Sequence, residues 1–313
     1  MLMTRKIIID TDPGQDDAAA IMLAVASPEL EVLGLTTVAG NVPLQLTSRN
    51  ARLILEIAHR PDIPVYAGAD APLARPLVTA ENVHGKSGLD GVELFEPAAP
   101  LAQGHAIDFI IDTLRRQAPG TVTLCPLGPL TNIAMALRQA PDVADRIEEI
   151  VLMGGGFFEG GNITPAAEFN VFVDPEAAAE VFAAGVPLTM MPLDVTHKAL
   201  TSGDRIARLR RSGGRPAAVM ADMLEFFERY DEQKYGTEGG PLHDPTVIAY
   251  LLRPDLFSGR QCNVEIETKS DLTLGMTVID WWHVTDRKRN AMVMRDIDAD
   301  GFFDLLIERL ARL

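Results

Sequence analysis

Cations and cysteines are what this chain has least of. Its 313 residues include 28 lysines and arginines against 44 aspartates and glutamates, a formal charge of −16. Such an acidic surface repels phosphate backbones and anionic lipid, which argues against nucleic acid or a membrane as a partner. Only Cys125 and Cys262 are present, both in strand-like text of a chain too long to need stapling, so they read as buried thiols. No apolar window is long enough to span a bilayer, and the first residues lack the layout of a signal peptide, so the expected location is the cytoplasm. No second His or Cys stands at zinc-like spacing, no Lys-Ser or Lys-Thr follows a glycine run, and no G-x-G-x-x-G opens a helix after the first strand. A zinc site, a P-loop and a dinucleotide fingerprint are set aside accordingly.

What is there is ordinary in bulk: 47% hydrophobic and 23% charged residues, ample for a large core. Strand and helix signals alternate. Ile7–Ile9 reads as a strand and Ala18–Ala26 as a helix; Glu31–Val38 is a strand, and helix runs from about Leu44 to His59. The alternation continues through strands at Ile63–Tyr66, Val122–Cys125, Ile150–Met153 and Pro187–Met191, each separated from the next by helical text. Later strands are expected near Val264–Glu267 and Met292–Met294, with a closing helix at Gly301–Leu313. Alternation of this kind means crossover connections and a mostly parallel sheet. With no repeat and no linker, residues 1–313 are expected to form a single doubly wound α/β domain flanked by helices. Ligands of such a sheet gather at the carboxyl ends of its strands. The stretches Gly68–Gly104 and Phe226–Pro241 are expected to be loops that shape specificity.

The most informative segment is Asp10-Thr11-Asp12-Pro13-Gly14-Gln15-Asp16-Asp17, with four carboxylates in eight positions where a buried strand hands over to a helix. Any one acid has a plain explanation: Asp16 or Asp17 can serve a helix N-terminus, and Asp10 can bond turn N–H groups. The full set exceeds what capping needs. Carboxylates so close raise one another's pKa, and a hard cation such as Ca²⁺ or Mg²⁺ relieves them. Three further groups stand after strands. Leu127-Gly128-Pro129-Leu130-Thr131-Asn132 can turn a carbonyl toward a cation, yet alone it is only a turn. Met153-Gly154-Gly155-Gly156, followed by Asn162, Glu168 and Asn170, suits sugar hydroxyls, or is a polar surface loop. His243-Asp244-Pro245 offers a helix cap beside a surface histidine, or a carboxylate for the cation beside a proton donor.

These motifs, in this order from Ile7 to Pro245, resemble the nucleoside hydrolases, the inosine-uridine preferring group. The resemblance implies calcium-dependent hydrolysis of the N-glycosidic bond of ribonucleosides to ribose and free base, with pyrimidine-specific hydrolysis or a catalytically weak nucleoside-binding homologue as alternatives. It implies one Ca²⁺ held by Asp12, Asp17, the carbonyl of Leu127 and Asp244. It assigns the ribose to Asp16, Asn41, Asn162, Glu168 and Asn170, the pocket wall to Met153, and a supporting role to Asp10. Asp12 would take a proton from water, His243 would protonate the leaving base, and His84 would face the base, joined by Tyr230 or Tyr235. Family members form homodimers or homotetramers. An aspartyl phosphatase also carries D-x-D after its first strand, but here Pro13 and the pair Asp16-Asp17 depart from that pattern. Trp281-Trp282 read as packing residues, His105 as a cap or solvent-facing residue, and His59 and His197 as surface residues.

Overall fold

The computed structural model describes residues 4–235 and 239–313. Its first half alternates strictly: β1 (Arg5–Thr11), α1 (Gln15–Val25), β2 (Leu30–Thr37), α2 (Leu44–Ile57) and β3 (Val65–Ala67). A long irregular stretch follows, interrupted by one turn of helix, α3 (Glu81–His84). Next come α4 (Ala106–Arg116), β4 (Val122–Pro126), α5 (Thr131–Gln139), β5 (Ile147–Met153), α6 (Phe169–Val173), α7 (Pro175–Ala183) and β6 (Leu188–Met191). The remainder is α8 (Leu193–Thr196), α9 (Gly203–Ser212), α10 (Arg215–Tyr235), α11 (Pro245–Leu252), β7 (Phe257–Cys262), β8 (Val264–Ile266), β9 (Thr277–Ile279), β10 (Ala291–Ile297) and α12 (Ala299–Leu310).

Eight strands form one sheet in the order β3-β2-β1-β4-β5-β6-β10-β7, parallel throughout except where β7 runs against β10. The expected mostly parallel, doubly wound sheet is therefore what the chain builds. Its β-branched strands are buried on both faces, as helices on either side require. Strand β1 shows this residue by residue. Ile7 and Ile9 pack with α1, α2 and α9 to α12, whereas Ile8 packs with α4, α5 and α7. Successive side chains of a strand point to opposite faces. From β1 the chain winds outward to β2 and β3, then returns to place β4 on the other side of β1. The reversal opens a crevice between the carboxyl ends of β1 and β4.

Three expectations need correction. Phe226–Tyr235 belongs to helix α10, so the loop expected there begins later. The strand near Val264 lies outside the main sheet, in a two-stranded ribbon with β9. Strand β7 was read only at its last residue, Cys262, because four of its six residues, Ser258 to Gln261, face solvent and leave no apolar period. Both cysteines are free and buried, and Trp281 is buried while Trp282 is 65% exposed. Among the described residues, no helix is long and apolar enough to cross a membrane.

One buried amide ties the strand ends together. Asn132, at the start of α5, donates through Nδ2 to Asp10 Oδ1 at 2.7 Å and to the Thr37 carbonyl at 3.1 Å. Its Oδ1 accepts from the Ala69 N–H at 2.9 Å. A single side chain thus joins β1, the end of β2 and the segment after β3. Replacing it with alanine strands three buried polar groups. Asn132→Ala should cost about 2–4 kcal/mol in denaturant unfolding; a change below about 0.5 kcal/mol would show that the clamp carries no stability.

Candidate active site

The turn after β1 is built around its own acids. Asp17, in the first turn of α1, accepts from the Gly14 N–H at 2.9 Å and from the Thr11 hydroxyl. Asp12 accepts from the Asn41 N–H at 2.7 Å through Oδ2, and the Asn41 side chain donates to the Asp12 carbonyl at 3.1 Å. Glycines 40 and 128 sit so close to the Asp12 carboxylate that a Cβ at either would collide with it. Backbone therefore closes around this carboxylate from two strand ends, which is what the L-G-P turn after β4 contributes.

Asp244 arrives from 227 residues downstream of Asp17. It stands at the N-cap of α11 yet makes no side-chain capping bond, so the cap explanation fails. Its carboxyl turns into the crevice and shares a hydrogen bond with Asp17. Oxygens of Asp16, Asp17 and Asp244 lie within 4.8 Å of one another, all buried. This tightest group contains Asp16, whose expected role was to bind ribose, rather than Asp12. Burial raises the pKa of Asp12 well above the carboxylate range, and the charge of Asp17 raises it further against the Asn41 N–H. Burial likewise lifts Asp244, with repulsion from Asp16, Asp17 and Asp12 adding to it. Asp12 Oδ1 is buried with no hydrogen-bond partner. An orphaned carboxylate oxygen beside a set of oxygen donors fits a hard divalent cation, to which the Leu127 carbonyl could add a ligand. That carbonyl already accepts from Asn170 Nδ2 at 2.7 Å and has a second lone pair to offer.

A cleft opens over these acids. Asp16, Asn41, His84, Leu127, Met153, Asn162, Glu168, Asn170, His243 and Asp244 all line it. Asp12 and Asp17 lie beneath that lining. Asp10 lies deeper, bonded to Asn132 and, at 2.6 Å, to the Thr36 hydroxyl; burial pushes its pKa up to about 7. The end of β5 and the glycine-rich stretch after it contribute Met153, Asn162 and Ile163 to the wall, while Phe158 and Glu159 between them face solvent. Glu168 caps α6, accepting from the Asn170 N–H at 2.8 Å and the Val171 N–H at 3.2 Å, and also accepts from the Gly155 N–H at 2.8 Å. Burial still outweighs these donors and lifts it to about 7. Asn162 Oδ1 accepts from the Phe169 N–H at 2.9 Å. His243 Nδ1 lies 2.8 Å from the Thr196 hydroxyl.

Apolar groups finish the pocket: Ala80, Val83, Ile163, Phe169 and Phe227. Sequence reasoning read helical text as far as Tyr230 but did not single out Phe227, and it also missed Gln15 and Thr196. It misplaced His197, which is half-buried with its ring 5.7 Å from that of His243 and its Nδ1 3.7 Å from Glu159. A signal was available: Asp194, Thr196 and His197 are a polar run at the carboxyl end of buried strand β6. His105 does cap α4, while the side chains of Tyr230 and Tyr235 lie outside the described residues.

Comparison with known proteins agrees with this geometry. The inosine-uridine preferring nucleoside hydrolase family matches residues 7–304. An uncharacterized protein of Schizosaccharomyces pombe is 57% identical, over 98% of this chain and 99% of its own length. The pyrimidine-specific ribonucleoside hydrolase RihA of Photobacterium profundum is 50% identical, over 99% of both chains. Among solved structures, the purine-preferring ribonucleoside hydrolase of Gardnerella vaginalis superposes with a TM-score of 0.92 at 32% identity, covering 98% of each chain.

The buried acids have a measurable consequence. Without a cation, Asp10 and Glu168 keep their protons in the folded chain up to about pH 7, whereas unfolded they release them near pH ~4. His84 opposes them with one proton, because burial drops its pKa to about 4. The folded state therefore binds more protons than the unfolded state between about pH 4.5 and 7, so stability falls as pH rises through that window. The melting temperature of chelated protein should drop across it, and a bound divalent cation should flatten the trend. A melting temperature that climbs steadily from about pH 5 to 7.5 without cation would contradict the burial argument.

Proposed function

This chain belongs to the inosine-uridine preferring nucleoside hydrolase family and hydrolyses the N-glycosidic bond of ribonucleosides; from that premise we propose that it uses one Ca²⁺ and prefers pyrimidine ribonucleosides. The observation that carries the metal is the orphaned Asp12 Oδ1 beside the buried triple of Asp16, Asp17 and Asp244. Asp12, Asp17, Asp244 and the Leu127 carbonyl would hold the ion, an all-oxygen set suited to calcium. When bound, it would supply Lewis acidity toward water and a grip on vicinal hydroxyls. The pyrimidine preference is supported by the 50% identical relative that bears that specificity in its name.

In this reading the chain's own residues do the following work. Cleaving the bond builds positive charge on the sugar and negative charge on the departing base. Asp12 accepts the proton of the attacking water. Asp16, Asn41, Asn162, Glu168 and Asn170 bind the ribose hydroxyls, and those bonds tighten as the ring flattens. Each of these side chains except Asp16 is already anchored by backbone hydrogen bonds printed above, so little reorganisation accompanies binding. The buried carboxylates favour the cationic sugar electrostatically. Met153, which accepts from Asn170 through its carbonyl at 3.2 Å, forms the wall under the sugar. His243 stands across the cleft, held at Nδ1 by the Thr196 hydroxyl, and serves as the proton donor to the leaving base. His84 and Phe227 close the base side.

Ribose release should be assayed from uridine, cytidine and inosine, with and without chelator. The expected result is turnover that favours the pyrimidines, disappears on chelation and returns with Ca²⁺. Undiminished turnover in chelator would refute the metal, and inosine as the best substrate would refute the preference. His243→Ala should lower uridine cleavage by about 10²–10⁴-fold, the usual weight of general acid catalysis. A nitrophenyl riboside, whose leaving group needs no proton, should lose far less; equal losses would remove His243 from that role.

A further inference from the structure

Gln15 is the one uncharged polar side chain between Gly14 and Asp16 in the acid-rich turn, and it is fully buried. One atom of its amide lies 3.1 Å from the His84 carbonyl and 3.1 Å from the Asp90 carbonyl. Carbonyls only accept, so that atom must be the nitrogen Nε2. The other amide atom is then the oxygen, 2.7 Å from His84 Nδ1. An oxygen acceptor there requires a hydrogen on Nδ1. A neutral imidazole carrying its hydrogen on Nδ1 presents Nε2 as a bare acceptor. Burial does keep this ring neutral, since its pKa falls to about 4. His84 lines the cleft, stacked 5.5 Å from Phe227, and no described residue hydrogen-bonds its Nε2.

We propose that Gln15 locks the tautomer of His84, making it an obligate acceptor that selects nucleobases presenting an N–H donor on the edge that meets it. This rests on the reading of the cleft as a nucleoside site. Gln15 is thus a positioning residue, acting on the base through His84. A base that brings no N–H to that edge, neither a ring N–H as in uracil nor an amino group as in cytosine, leaves a buried acceptor unsatisfied, and sites of this kind discriminate strongly. The sequence separation of 69 positions explains why neither residue points to the other in the sequence.

The lock is tested first in the wild-type protein, by ¹⁵N–¹H correlation of histidine-labelled enzyme, with the His84 signal identified by its loss in His84→Asn. The expected pattern is the Nδ1–H tautomer at neutral pH; an Nε2–H or doubly protonated ring overturns the lock. In Gln15→Met, of similar volume, the ring should shift toward Nε2–H, and an unchanged pattern assigns the tautomer to something else. Selection is tested with uridine against N3-methyluridine, which lacks the base N–H. Wild type should favour uridine by about tenfold or more in kcat/KM, and Gln15→Met should narrow that to about threefold or less. Equal use of both nucleosides by wild type overturns the selection. If no nucleoside is turned over, the nucleoside reading of the cleft fails, while the tautomer measurement still decides the lock.

Discussion

Several carboxylates withdrawn from water into one crevice repel one another with little solvent to screen them. In this protein Asp12, Asp16, Asp17 and Asp244 are all buried, and the backbone has been arranged to make that tolerable. N–H groups of Gly14 and Asn41 and the Thr11 hydroxyl point at the acids, and glycines let two strand ends close around Asp12. These donors offset only part of the cost, because Asp12 Oδ1 is left with nothing to accept from. A positive charge in the crevice would complete the arrangement. The switch in strand order between β1 and β4 makes the crevice, and the walls above it recruit the sugar-sized ring of Asn and Glu groups.

Function follows from having two kinds of surface in one cleft. One end is acidic and dense with donors and acceptors fixed by the backbone, suited to a ribose whose charge changes during reaction. The other is formed by histidine and aliphatic or aromatic groups, suited to a planar base. His243 and His84 differ in a way that matters. Thr196 holds the first, while the second is held by an amide that allows only one tautomer. Two histidines in one pocket can thus have opposite polarity, one giving a proton and the other accepting a hydrogen bond.

Much of this was legible in the chain itself, for physical reasons. The run Ile7–Ile9 could only be a buried strand, and acids at its end exceeded any capping need, so the crevice and its charge could be read together. Asp244 was reached only through the family resemblance that His243-Asp244-Pro245 helps to carry, because as a single acid before a helix it looked like a cap. What escaped were contacts between distant segments. Gln15 reaches His84 and Asn132 reaches Asp10 across 69 and 122 residues, and no local pattern encodes such pairs. His197 looked like a surface residue because its burial depends on the distant segments around His243 and Glu159. Most of strand β7 was hidden because an edge strand with solvent-facing side chains carries no apolar rhythm.

The claim on which all else turns is that one divalent ion neutralises the buried aspartates. Diffraction from crystals grown with calcium, using its anomalous signal, tests this most directly. The account predicts one strong peak per chain, bounded by Asp12, Asp17, Asp244 and the Leu127 carbonyl. A crevice without such a peak, in crystals whose protein cleaves uridine, would contradict it.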